Sequence, residues 1–324
     1  MNRIVRSLFL AAATAAVFVN GAALAQYPAK PVRVVVPYPP GGGTDILGRP
    51  LAQKLSEKWG QPVLIENRGG ATGMIGTDVV AKSAPDGYTL LLSSSPEIVM
   101  NLSLYPKMAY DPVNDLVPVT LVAVTPLVLT VHPAVAARSL EEYLALARAK
   151  PGQLAYSSSG NGGPHHVAGG LLGLLGNVSL LHVPYKGGGP QIADLLAGHT
   201  ASAFLAMPVA APHIRSGKIR ALAVTTAQRS TAFPEVPTMA ESGLAGFDVA
   251  QWYGMFVPRG TPVAAVEKLN TDAVAAINLP DIRPRMLEQG YEPVGNSSAQ
   301  FSAFVKSEVA KYRKIIQDAG IKLE

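Results

Sequence analysis

The sequence predicts an α/β protein of two lobes with a ligand cleft between them. Three observations predict it. Short aliphatic strands alternate with amphipathic helices, the pattern of a parallel sheet with right-handed crossovers. Several strands run straight into turns of glycine, serine and threonine, and in such sheets ligands sit beyond the C-terminal strand ends. The chain has 324 residues; without a removable leader it suits two units of roughly 100–200 residues.

The leader comes first. Arg3 and Arg6 precede an apolar run from Leu8 to Val19, and Ala23-Leu24-Ala25 is a small-residue cleavage site before Gln26. This is the pattern of a secretory signal over residues 1–25. The apolar run falls short of the roughly 20 residues a membrane span needs.

The organising stretch runs from Val32 to Asp45. Val-Arg-Val-Val-Val reads as a buried strand. Pro37-Tyr38-Pro39-Pro40 ends it, Gly41-Gly42-Gly43-Thr44-Asp45 follows, and Leu47, Leu51 and Leu55 stripe one face of a helix. Glycines admit close approach, and a helix start presents unpaired N–H groups and the positive dipole end. Such a turn suits a carboxylate or phosphate. It is not a dinucleotide fingerprint, because Ile46 stands where the third glycine belongs, and no Walker Gly-Lys-Ser/Thr follows. The unit recurs: Val63-Leu64-Ile65, then Gly69 to Gly73, then a helix over Met74 to Ser83. Tyr88 to Leu92 is a third strand, ending in Ser93-Ser94-Ser95.

Val117 to Val131 is rich in Val, Leu and Thr, and is the first crossing between lobes, near Val124. Ser139 and Glu142 form a capping-box pattern ahead of the next helix, which Lys150-Pro151-Gly152 ends. Leu154-Ala155-Tyr156 leads into Ser157-Ser158-Ser159-Gly160, and His165-His166 opens a helix to about Leu175. Leu180 to Pro184 is a strand, followed by Tyr185-Lys186-Gly187-Gly188-Gly189 and a helix over Gln191 to Ala197. Ser202 to Leu205 and Ile219 to Thr225 are strands. Phe247 to Val257 is the return strand. Thr261-Pro262 opens a helix with Pro at its first position, and Phe301 to Ala319 is the last long helix. The lobes are therefore 26–124 plus 247–324, and an inserted 125–246.

Composition excludes several classes. There are no cysteines, so there are no disulfides, thiolate metal sites or N-terminal lipid anchor. The 27 basic and 22 acidic residues give +5. Removing Arg3 and Arg6 leaves 25 − 22 = +3, scattered without a basic run, which argues against nucleic acid. Ser158 or Ser159 with His165 or His166 invites a secreted serine hydrolase, but the Gly-x-Ser-x-Gly elbow is absent. Adjacent histidines on a helix point about 100° apart, a poor metal pair. Glu97 has no reading from sequence. A catalytic site needs a titratable pair; these loops offer backbone N–H groups and hydroxyls, which suit binding.

Tyr27-Pro28-Ala29-Lys30-Pro31, the stretch Pro37 to Asp45, Glu66-Asn67-Arg68, Tyr110-Asp111-Pro112, Tyr185-Lys186-Gly187, Asp194-Leu195-Leu196, Arg220 to Thr225 and Trp252-Tyr253-Gly254 occur in a characteristic order. The chain thereby resembles the Bug-type extracytoplasmic receptors of tripartite tricarboxylate transporters, over essentially residues 27–324. The resemblance implies a type II periplasmic-binding-protein-like fold, no enzymatic activity, no cofactor and no metal. It implies a monomer in the periplasm that binds a small organic carboxylate and delivers it to a two-component membrane permease. A ligand sensor feeding a signalling system is the alternative. The expected ligand-binding residues are Tyr38, Gly42, Gly43, Thr44, Asp45, Gly70, Gly73, Ser93, Ser158, Ser159, His166, Tyr185 and Lys186. Where the family commonly carries acids, this chain has Gly170 and Thr200 or Ala201, so an amine-free ligand such as a di- or tricarboxylate or an aromatic acid is expected.

Overall fold

The computed structural model describes residues 27–323. The expected leader and its cleavage site lie outside the described residues. Strands are β1 (Val32–Val36), β2 (Val63–Asn67), β3 (Thr89–Ser94), β4 (Leu116–Val131), β5 (Ala155–Ser158), β6 (Leu181–Pro184), β7 (Ser202–Ala206), β8 (Arg220–Val224), β9 (Ala250–Pro258) and β10 (Glu292–Pro293). Helices are α1 (Gly43–Trp59), α2 (Met74–Ala81), α3 (Asn101–Leu104), α4 (Leu140–Ala149), α5 (Pro164–Gly176), α6 (Gly188–Leu196), α7 (Met207–Arg215), α8 (Val263–Ile277), α9 (Arg283–Glu288) and α10 (Ser298–Asp318).

The strands form one continuous path, β2-β1-β3-β9-β4-β7-β5-β6, with β8 and β10 also on β4. Two wings share it. In the first, β1 pairs parallel with β2 and β3; in the second, β5 pairs parallel with β6 and β7. The middle of the path is antiparallel. There β9 and β4 run antiparallel to each other, β9 antiparallel to β3, and β4 to β7. The reason is geometric: β4 carries the chain from the first wing into the second, and β9 takes it up on its return and runs the opposite way. β4 pairs with β9 as far as Pro126 and with β7 from Leu127. The second crossing lies beside it, where Val249 N–H bonds Thr225 O at 2.9 Å. The β4–β9 register shifts after Pro118, consistent with proline's missing donor.

Alternation explains the layers. Val32, Val34 and Val36 face one core with Leu47, Leu51 and Leu55 of α1, while Val35 faces the other with Trp252, Phe256 and Phe301. A sheet buried on both faces requires such a continuous apolar strand. Helix ends follow local chemistry. Ser139 Oγ caps α4 by accepting from Glu142 N–H, but Glu142 reaches back to Arg138 N–H rather than to Ser139. The complete capping box is at Ser297 and Gln300, opening α10. Pro262 is the cap residue before α8, one place earlier than expected. Among the described residues no helix is long and apolar enough to cross a membrane.

Candidate functional site

The glycine loop after β1 is held from three sides. Tyr291 Oη donates to Gly43 O at 2.7 Å. Tyr253 Oη lies beneath Gly43, where an added Cβ would sit 2.3 Å from it. Only glycine fits there. Asp45 braces the loop from inside: its carboxylate accepts from Gly41 N–H at 3.0 Å, from Arg49 at 2.8 and 2.9 Å, and from Asn67 at 3.0 Å. Burial alone would raise the carboxyl's pKa, but these donors together hold it below the usual range.

Four helices begin at one cleft between the wings. Gly42, Gly43 and Thr44 line it from α1, Pro164 and His165 from α5, Gly188 to Gln191 from α6, and Ala206 from the start of α7. No side chain caps any of the four helix starts. Their free N–H groups and dipoles make the space favourable to negative charge. Lys186 is the one Lys or Arg among the lining residues, and none of them is Asp or Glu. The space between its walls is about 610 Å³, open solvent at the mouth included. Outside that lining Thr72 Oγ1 donates to Asn161 O at 3.0 Å, joining the wings.

Beneath the first wall lies Glu97, fully buried. Its carboxylate accepts from Tyr38 Oη at 2.7 Å, Ser93 Oγ at 2.7 Å and Ser94 N–H at 2.8 Å. Burial outweighs these bonds and pushes its pKa up to about 7. On the second wall His165 Nδ1 lies 2.8 Å from Ser159 Oγ, and His182 Nε2 lies 2.6 Å from Ser158 Oγ. Burial lowers both imidazoles to about 3, so they are neutral at ordinary pH. Gln191 and Gln251 complete the lining, on α6 and β9.

Of the expected residues, Tyr38, Gly42, Gly43, Thr44, Ser159 and Lys186 line the cleft. The others do not. Asp45 faces its own loop. An added Cβ on Gly70 would meet Ile75, and one on Gly73 would meet Glu97. Ser93 is spent on Glu97, and Ser158 on His182. His166 stacks on His182 at 4.0 Å and accepts from Gly162 N–H, leaving His165 as the lining histidine. Tyr185 Oη donates to Asp194. Sequence reasoning missed Ser94, Gln191 and Gln251.

Two wings flanking a cleft built from helix starts have the arrangement of a solute-binding receptor. The family model described as "Tripartite tricarboxylate transporter family receptor" matches residues 47–321. The chain belongs to that family of periplasmic solute-binding receptors. It is 41% identical to "Protein BugT" of Bordetella pertussis over 92% of each chain. Among solved structures, an R. palustris protein with adipate superposes with a TM-score of 0.89 at 36% identity, covering 91% of this chain and 99% of that one. MatC from Rhodopseudomonas palustris with bound malate gives a TM-score of 0.84 at 32% identity, covering 90% and 100%.

Proposed function

We propose that this receptor, exported by cleavage near Ala25, works in the periplasm as a monomer and closes over a small organic acid without an ammonium group. The wings act as lobes, 26–124 plus 247–324 and 125–246, and swing about β4 and β9. The loaded form then docks on a two-component permease of the tripartite type.

One observation carries the reading: a cleft with four uncapped helix starts and Lys186 contains no acid in its lining. An ammonium group buried there would lack a counter-charge, which is costly. A carboxylate meets N–H donors instead. The solved relatives that hold adipate and malate support carboxylates as the class. Isothermal calorimetry on the mature chain tests it, with di- and tricarboxylates, aromatic acids and acidic amino acids. Binding is expected for amine-free acids. Tight binding confined to amino acids would refute it.

A further inference from the structure

Gln191 sits one turn into α6 and is fully buried. Its Nε2 donates to Ser157 O of β5 at 2.9 Å and to Phe204 O in the middle of β7 at 2.7 Å. Both amide hydrogens are thus used. The reverse orientation would set the amide oxygen against two carbonyls, so the assignment of oxygen and nitrogen is fixed by the partners. Oε1 is left buried without a donor, in a residue that lines the cleft. Across the cleft Gln251, on β9, also has a buried Oε1 without a donor.

Buried polar atoms without partners are rare and need an explanation. A carboxylate cannot supply one, because it only accepts. An ammonium group could donate, but the lining has no acid to balance it and four helix starts oppose it. A hydroxyl donates without charge.

We propose that Gln191 makes this receptor selective for hydroxylated carboxylates, its Oε1 accepting the ligand's hydroxyl while the helix starts and Lys186 hold the carboxylate. The inference rests on the carboxylate reading above. It identifies Gln191 as a specificity-determining residue.

Matched pairs test it on the mature protein by calorimetry: succinate against 2-hydroxysuccinate, glutarate against 2-hydroxyglutarate, and benzoate against 2-hydroxybenzoate. In the pair of the right size, the hydroxylated acid should bind about tenfold more tightly or better, since an acceptor left unpaired penalises the plain acid. In Gln191→Met, checked for folding by its thermal transition, that ratio should fall below about threefold. Equal affinities within every pair that binds would overturn the inference while leaving the carboxylate receptor intact. So would a ratio that survives in folded Gln191→Met, or aspartate binding more tightly than 2-hydroxysuccinate. Should the variant not fold, the wild-type ratios decide alone. If no acid binds at all, the carboxylate reading fails first and this one with it.

Discussion

The two walls of the cleft are built to different rules. On the first, α1 begins Gly43-Thr44-Asp45, so its three leading N–H groups are all present, and Asp45, Arg49, Asn67 and Tyr291 fix the loop. On the second, three helices begin near the ligand space, but each has a proline in its first turn: Pro164, Pro190 and Pro208. Each proline removes one donor. That wall relies on neutral imidazole–hydroxyl pairs and a glutamine. The difference teaches a division of labour. The first wall holds negative charge with pre-organised dipoles alone, and the second adds Lys186 and, at Gln191, a group that reads what the ligand carries besides its charge.

The largest effect should come from the tightest point of the first wall. Gly43→Ala forces a methyl against Tyr253 Oη and should cost about 1–3 kcal/mol of stability and abolish measurable binding. Tyr253→Phe, which removes a buried hydroxyl without a partner, should restore part of both. A double variant no better than Gly43→Ala in denaturant titration would show that the hydroxyl is not what excludes a side chain.

Next come opposite pH responses. Glu97 holds its proton up to about 7 in the folded protein, against 4.5 in the free side chain. Its contribution is fully present below the unfolded value and is lost as pH rises through about 7. Relative to Glu97→Gln, the wild type should lose on the order of 3 kcal/mol between pH 4 and 8. The second wall goes the other way. His165 is depressed to about 3, so stability present above the unfolded value near 6.5 is lost as pH falls toward 3. His165→Gln should flatten that acid limb. Melting curves across pH check both, and slopes of one sign in both comparisons would break the contrast.

Lys186→Met should weaken binding of a dianion roughly fivefold and reduce its salt dependence, because the lysine is exposed and its field is screened. The smallest effect is expected at Gly189, where an added Cβ meets nothing within 4 Å. Gly189→Ala should change stability by less than about 0.5 kcal/mol. A loss comparable to that of Gly43→Ala would erase the distinction between a tight wall and a roomy one.

Much of this was legible from sequence. The glycine turn after β1 and the alternation of strand and helix follow from β-branched runs, turn residues and helix periodicity. What escaped was set by tertiary neighbours. Gly70 and Gly73 copy the first turn's pattern, but they follow β2, the outermost strand, so their loop is one strand farther from the crossing. Glu97 cannot be read from sequence, because Tyr38 comes from another loop. His165 and His166 differ by one step of a helix, which the resemblance could not resolve. Gln191 becomes informative only when its amide is seen with one end satisfied and the other bare, and Gln251 only when its oxygen is seen buried without a donor.

Gln251 stands directly opposite Thr125 in the β4–β9 register, one residue from where β4 changes partners. It therefore lies at the fulcrum of any swing between the lobes, whereas Pro39 and Gly187 approach each other at the end of the lever arm. A contact at a fulcrum is made whether the jaws are open or shut and cannot bias that equilibrium, since a ligand shifts populations only by its differential affinity. Contacts at the rim alone reward closure. An acid too short to reach from Gln251 to Lys186 would then occupy the receptor without shutting it. Such a compound would compete with the longer ligand while leaving the jaws open.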